Sequence, residues 1–564
     1  MNYALCIMNY FVPLQAKSGK LKRFLYIFLI FCALSVTAQP KYEVRAVWLT
    51  TLGGLDWPKS YAHDGMGIQR QQEDLCRILD QLKAINVNTV LFQTRVRATT
   101  AYPSELEPWE GSLSGIPGKT PGWDPLQFAI DECHRRGMEL HAWVVAIPIG
   151  KWNTIGCKTM RKWYPSLVKR IGDEGYMNPE AYGTADYIAN ICEEITTRYD
   201  IDGIHLDYIR YPETWRGKMN RENITRIVRS VNQRVKRHKP WVKMSCSPIG
   251  KYSNLSRYRS NGWDAYNRVA QDAQGWLREG LMDQLYPMMY FSGNNFYPFA
   301  IDWQEQSSGR TIVSGLGTYM LHPSERNWPL AEVKRQLSVT RQQGIGHCHF
   351  RTKFLLDNVK GIYDYMLQND RHPALIPPMT WAQSIAPTAP TQLNVERTRG
   401  GDNLTWSGAI DQSDGSYLLY NIYASTEEPV DITRPENLIA TRQKASQLSI
   451  HRQAGNKPML HYAVTALDRY GNESQPIHSV DKTTTPVVVT TLLANNGRVL
   501  TVPQRNLFDA DLLLVCDLKG RTLQSFTNRP QINISRLPEG MYQLKSLHKK
   551  GYTHRLGLFT IKRK

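Results

Sequence analysis

The chain has 564 residues, 41% of them hydrophobic and 21% charged. That is an ordinary globular composition and too long for one hydrophobic core, so two to four domains are expected. The net charge of +19 suits anionic surroundings such as envelope glycans, phospholipid or nucleic acid, but no concentrated basic run follows the N-terminal segment, so nucleic-acid binding is not expected.

The first 38 residues read as a secretory signal peptide. A basic stretch ending at Lys22-Arg23 precedes an apolar run at 24–36, and Val36-Thr37-Ala38 offers small residues for cleavage, predicting a mature start near Gln39. The apolar run is short for a membrane-spanning helix, and no membrane span is expected in the mature protein. Residues 1–38 hold four basic side chains and no acid, so their removal leaves an excess of +15. An exported protein follows, whether periplasmic, outer-membrane-associated or extracellular. Of the nine cysteines seven remain, an odd number without CxxC spacing. They read as buried free thiols.

Residues 43–368 alternate strand-like and helix-like segments. The apolar runs fall at 43–50, 87–95, 138–146, 201–212, 242–250, 282–291, 311–321 and 344–355. Between them, Leu75, Ile78, Leu79, Leu82 and Ile85 share one helical face, and Asp124-Pro125 caps a second helix that Gly137 stops. Ile188, Ile191, Cys192 and Ile195 mark a third, and Ile224, Ile227, Val228, Val231 and Val235 a fourth. Eight such repeats predict an α/β protein with a (β/α)8 TIM barrel over 39–372. A Pro-rich linker at 373–388 follows.

Two small β-sandwich-like domains are expected after the linker. Residues 389–484 show short alternating runs, with Trp406 and Tyr462 as core aromatics. Leu404-Thr-Trp406, Tyr420-Asn-Ile-Tyr423 and Tyr462-Ala-Val-Thr-Ala466 make this segment resemble a fibronectin type III domain. Within residues 485–564, the segment 513–517, the turn Leu518-Lys-Gly-Arg521 and then the segment 532–542 read as strand, turn and strand. They resemble the C-terminal sorting domains of type IX secretion substrates, which implies secretion machinery as a partner; an accessory sandwich is the other reading.

A barrel of this kind places its site at the carboxyl ends of the strands. In Asp202-Gly-Ile-His-Leu-Asp-Tyr-Ile-Arg-Tyr-Pro212, alternation puts Gly203, His205 and Asp207 on one face. A His and an Asp inside a barrel gain nothing apolar, so Asp207 is expected at the mouth as nucleophile or base. The competing reading is that Asp207 pairs with Arg210 or a neighbouring Arg and merely braces the rim. Gln93, Arg95, His141, Trp143, His205, Tyr286, Tyr290, His349 and Arg351 are the expected sugar-binding groups. Aromatic rings suit sugar CH faces, and polar groups read hydroxyls. Glycoside hydrolysis usually needs a second carboxyl, and Glu107 and Asp264 are the favoured candidates. His347 and His349 lack a nearby carboxylate in sequence, so no metal is expected, and no fingerprint calls for a cofactor.

Several stretches carry a family resemblance. Glu43-Val-Arg-Ala-Val-Trp-Leu49, Tyr102-Pro-Ser104, Gly122-Trp-Asp-Pro-Leu126, His141-Ala-Trp143, Tyr199-Asp-Ile-Asp-Gly-Ile-His-Leu-Asp207, Ser245-Cys-Ser-Pro248 and Trp276-Leu-Arg-Glu-Gly280 resemble the glycosyl hydrolase-like 10 barrels over 43–368. The resemblance implies a barrel that hydrolyses glycans, with peptidoglycan strands stripped of stem peptides as one substrate. Relatives commonly carry two consecutive acids at the end of the fourth strand, where this chain has Asp207 and Tyr208. That departure keeps a non-catalytic glycan-binding protein as the alternative.

Overall fold

The computed structural model describes residues 39–258, 260, 262–398, 400–413, 415–451, 458–479, 493–502, 510–518, 520–548 and 553–562. The signal peptide expected at 1–38 lies outside them. Eight parallel strands close into a barrel: β1 (Arg45–Leu49), β2 (Thr89–Arg95), β3 (Glu139–Val145), β4 (Gly203–Asp207), β5 (Lys243–Cys246), β6 (Gln284–Leu285), β7 (Thr311–Leu316) and β8 (Gly346–His349). Each pairs with its sequence neighbour and β8 returns to β1, as the eight apolar runs predict. The four expected helices form at Gly65–Ala84, Pro125–Arg135, Gly183–Arg198 and Arg221–His238. Asp124 caps the second through the amides of Leu126 and Gln127.

The two faces of each strand have different surroundings. Val47, Leu49, Val90 and Ile204 pack outward under the helices in one large core. Ala46, Trp48, Leu91, Trp143, Tyr286, Val313 and Cys348 fill the barrel interior. Polar side chains join them there. His205 accepts from the Trp48 indole at 3.2 Å and meets Ser245 Oγ at 3.0 Å, and His141 lies 3.0 Å from Glu139. A Cβ on Gly203 would press into the His141 ring, so the close approach of β4 to β3 requires glycine there.

The Pro-rich segment is not a free tether. Leu375 and Met379 are buried, and the Glu43 amide donates to the Leu375 carbonyl. Beyond it, a three-stranded sheet of Thr391–Thr398, Gly401–Ser407 and Gln447–His451 faces a four-stranded one of Leu438–Gln443, Leu419–Ser425, His461–Leu467 and Ile477–His478. Trp406 and Tyr462 lie in their shared core as expected. This sandwich and the barrel belong to one compact unit. Arg442 reaches the floor of the barrel and pairs with Glu139 at 2.9 Å and Asp202 at 2.6 Å. Arg469 holds Asp200 at 2.8 Å, and Tyr417 donates to the same carboxylate at 2.6 Å. Arg442 adopts a left-handed φ of 55°, a strain accepted where its guanidinium turns toward the barrel. The second unit, 480–564, contains an antiparallel sheet of Thr522–Thr527, Leu512–Cys516, Gly540–Leu547 and Thr553–Ile561. Its strand Leu512–Cys516 is the one expected at 513–517, but the strand that returns against it after the turn is Thr522–Thr527 and not the expected segment within 532–542. The seven cysteines of the described residues are all unpaired.

Candidate active site

The carboxyl ends of the strands open into a cleft of about 570 Å³. Asp207 ends β4 at its base and is 6% exposed. Three donors converge on its carboxylate: the Ser247 hydroxyl at 2.7 Å and the Tyr208 amide at 2.8 Å on Oδ1, and the Trp143 indole at 3.1 Å on Oδ2. Burial pushes the carboxyl above its ordinary range, while Ser247, the Tyr208 amide and nearby Arg210 oppose it. Arg210 does not pair with Asp207. It takes Glu213 at 2.8 Å and lies between the Tyr208 and Trp263 rings, at 4.6 and 5.2 Å. The purely structural Asp207–Arg210 pair is thereby corrected. Tyr208 has a φ of 50°, a sparsely populated conformation for a bulky residue that turns the chain directly after Asp207.

Trp143, Tyr290, Arg351 and Gln93 all line this cleft, as the sequence predicts. Tyr290 stacks on Phe350 with centroids 5.4 Å apart. Arg351 is anchored by Asp56 at 2.6 Å, and the Gln93 side-chain Oε1 accepts the amides of Thr51 and Leu52, which holds the loop after β1.

The other expected residues lie elsewhere. His141, His205 and Tyr286 sit inside the barrel beneath the cleft, fully buried, with Tyr286 donating to Gln284. Cys348, in register with Ala46, takes the inward position on β8, so His347 and His349 face the surrounding helices. There His349 bonds Thr318 and is pushed down to about 3 by burial, and His347 meets Asp370 at 3.3 Å. Arg95 is also turned away. A register shift between Gln93 and Arg95 pairs it with outward-facing Val144. Its guanidinium holds Glu107, which also accepts from Tyr187 at 3.0 Å. Glu107 is therefore a buried brace between loop and helix and not an acid catalyst. Asp264 is corrected in the same way, since it caps Ala265–Arg268 by accepting from the Asn267 amide at 2.6 Å.

Glu174 and Glu213 are the cleft carboxyls that sequence reasoning missed. Glu174 belongs to an antiparallel excursion, Pro148–Lys151, Val168–Ile171 and Glu174–Met177, inserted after β3. Glu213 follows β4 by six residues, and its Arg210 spacing of three was its only local signal. Arg97, two residues past β2, also lines the cleft. Among the described residues no cluster of His, Cys, Asp and Glu has the geometry of a metal site.

A base or nucleophile works ionised, so activity depending on Asp207 is present above its raised pKa and falls as pH drops through it. Ser247→Ala removes one donor to a charged group, worth about 1.5–3 kcal/mol. The acid limb of the kcat profile should therefore move up by about 1–2 pH units, and an unmoved limb would show that Ser247 does not tune the group.

An eight-stranded parallel barrel whose carboxyl end carries a buried carboxylate among aromatic walls has the layout of a glycosidase-type barrel. The model of the family described as Glycosyl hydrolase-like 10 matches residues 43–220 and 211–320 of this chain. The chain is 29% identical to "Glycosyl hydrolase YngK" of Bacillus subtilis (strain 168) over 79% of its own length and 95% of the relative's. It is 28% identical to "Glycosyl hydrolase DigH" of Escherichia coli (strain K12), over 46% of this chain and 67% of that one. The solved PgaB (BpsB) glycoside hydrolase domain from Bordetella bronchiseptica aligns at 12% identity with a TM-score of 0.41, covering 58% of this chain and 99% of the domain.

Proposed function

We propose that the protein is an exported glycoside hydrolase acting on peptidoglycan glycan strands or a related polysaccharide, with Asp207 as nucleophile or base. The observation that carries this reading is the carboxylate at the head of β4, oriented by three donors at the floor of an open cleft. Glu213 and Glu174, which share that cleft, are the carboxyls suited to donate the proton to the leaving oxygen. Trp143 and Tyr290 supply rings against sugar CH faces. The signal-like residues 1–38 support export, the strand pattern of 389–479 supports a fibronectin type III-like module, and 485–564 supports a sorting or accessory domain. The test is reducing-end release from peptide-free peptidoglycan strands and from a panel of neutral polysaccharides. Turnover of at least one substrate, reduced by Glu213→Gln or Glu174→Gln, is expected. Saturable binding with no turnover of any of them would favour the second reading, a non-catalytic glycan-binding protein, to which Tyr208 in place of a second acid points.

A further inference from the structure

The excursion inserted after β3 gives Glu174 to the cleft, but most of its side chains point to solvent and take no part in that site. Its charge is one-sided. Residues 151–170 hold six basic side chains, Lys151, Lys158, Arg161, Lys162, Lys169 and Arg170, and no acid. Asp173, the first acid beyond them, reaches only Lys151, at 3.7 Å between two largely exposed side chains. Among the described residues no carboxylate forms an ion pair with Lys158, Arg161, Lys162, Lys169 or Arg170. The helix Ile155–Trp163 keeps this charge outside: Gly156, Cys157 and Met160 are buried, which leaves Lys158 and Lys162 exposed. Arg161 and Arg170 both lie against the Trp152 ring, at 4.0 and 4.8 Å, so the helix end and the strand Val168–Ile171 form one surface.

Aromatic side chains emerge among these cations. Trp163 is 65% exposed and Tyr182 78%, and Tyr164 follows Trp163 into solvent. The Tyr164 ring meets Tyr187 at 4.9 Å, and Leu167 packs over Gly183, so Tyr182 borders the same surface. Lys162 Nζ lies 4.9 Å from the Trp163 ring. Large rings left in water forgo the gain of burial, and unpaired cations at this density repel one another. One kind of partner relieves both, a surface with negative charge outermost and apolar matter directly beneath. An anionic bilayer is layered in this way, and Trp and Tyr rings, apolar in body and polar at one edge, suit its headgroup level.

We propose that this face docks the protein on a bilayer surface that bears anionic headgroups. Trp163, Tyr164 and Tyr182 enter the headgroup layer, and Lys162, Lys169 and Arg170 pair with its phosphates. The proposal does not depend on the glycosidase reading, since it concerns side chains outside the cleft.

The experiment sediments the full mature chain with phosphatidylcholine vesicles and with vesicles of phosphatidylglycerol and phosphatidylcholine in equal parts. Wild type should bind the anionic vesicles at least about tenfold more tightly at low ionic strength, since each cation near such a surface contributes about fivefold, and the gap should shrink as salt is raised. Lys162→Glu/Lys169→Glu, at two exposed positions, should weaken binding to the anionic vesicles about tenfold or more. Lys334→Glu/Arg335→Glu, the same charge change on the exposed face of the helix Leu330–Gln342, should leave it within about twofold. Trp163→Ala should weaken it about threefold or more. Thermal melting checks that each variant is folded. Equal binding of wild type to both vesicles, or equal loss in the two charge-reversed variants, would overturn the proposal. Full affinity of Trp163→Ala would overturn it too, because a face that reads charge alone is a site for a soluble polyanion such as nucleic acid.

Discussion

Replacing Arg442 with methionine is expected to lower the stability of the barrel-containing unit by about 3–5 kcal/mol, the usual result of removing one partner from a buried charge cluster. Arg442 is 9% exposed, and it bridges Glu139 and Asp202, both almost fully buried on the barrel floor. Lys243 at 2.7 Å also serves Glu139, and His134 and Arg469 also serve Asp202, so the cluster contains every charge needed to balance it. Removing a cation leaves carboxylates in surroundings too apolar to solvate them. Urea unfolding followed by tryptophan fluorescence measures the loss, and a change below about 0.5 kcal/mol would show that the bridge is dispensable. Truncation before residue 389 removes Arg442, Arg469 and Tyr417 together, and the resulting barrel should fail to reach a soluble folded state.

The same cluster sets a pH dependence. Burial acts to raise the Glu139 carboxyl, but Lys243 and Arg442 outweigh it and hold the group down, from an ordinary 4.5 to about 2. A depressed carboxylate contributes stability that is complete above its unfolded pKa and is lost as pH falls through its folded pKa. The contribution of Glu139 should therefore fade between about pH 4.5 and 2, and Arg442→Met should shift this window upward.

The barrel was legible because its signals are local. Eight apolar runs, helical faces such as Leu75-Leu79-Leu82 and the Asp124-Pro125 cap each depend on neighbours within a few residues. Asp207 was legible for a related reason, since alternation along β4 forces it onto the same inner face as Gly203 and His205. The same alternation misplaced Arg95, because a register shift after Gln93 rotates it outward, and nothing in residues 93–95 announces that shift. Glu107 looked like a rim acid because its partner Tyr187 lies 80 residues away. Asp264 did have a local signal, an Asp just ahead of a short helical run, which is a capping position. His141, His205 and Tyr286 show the limit of facing arguments. They point inward as alternation requires, but their depth along the barrel axis, set by strand stagger, decides whether they reach the cleft or the core beneath it. The floor contacts of Arg442 were illegible because they join strands some 240 and 303 residues apart.

The largest catalytic effect is expected at Asp207. Its two oxygens accept three hydrogen bonds, so the carboxylate is oriented before a substrate arrives, and no cation forms a direct pair that would hold its charge. Both Asp207→Asn and Asp207→Ala should lower kcat by about a thousandfold or more, within the range for loss of a positioned base or nucleophile. The asparagine form keeps one accepting oxygen and sets its N–H2 against either the Trp143 donor or the Tyr208 and Ser247 donors, so the alanine form serves as the check that lost activity reflects the missing carboxylate.

The most direct measurement is reducing-end release from peptide-free peptidoglycan strands by wild type, Asp207→Asn and Asp207→Ala at matched folded concentration, verified by thermal melting. Release by wild type and about a thousandfold less by both folded variants is the predicted result. Equal release by all three proteins would contradict the assignment of Asp207 and with it the role given to the cleft.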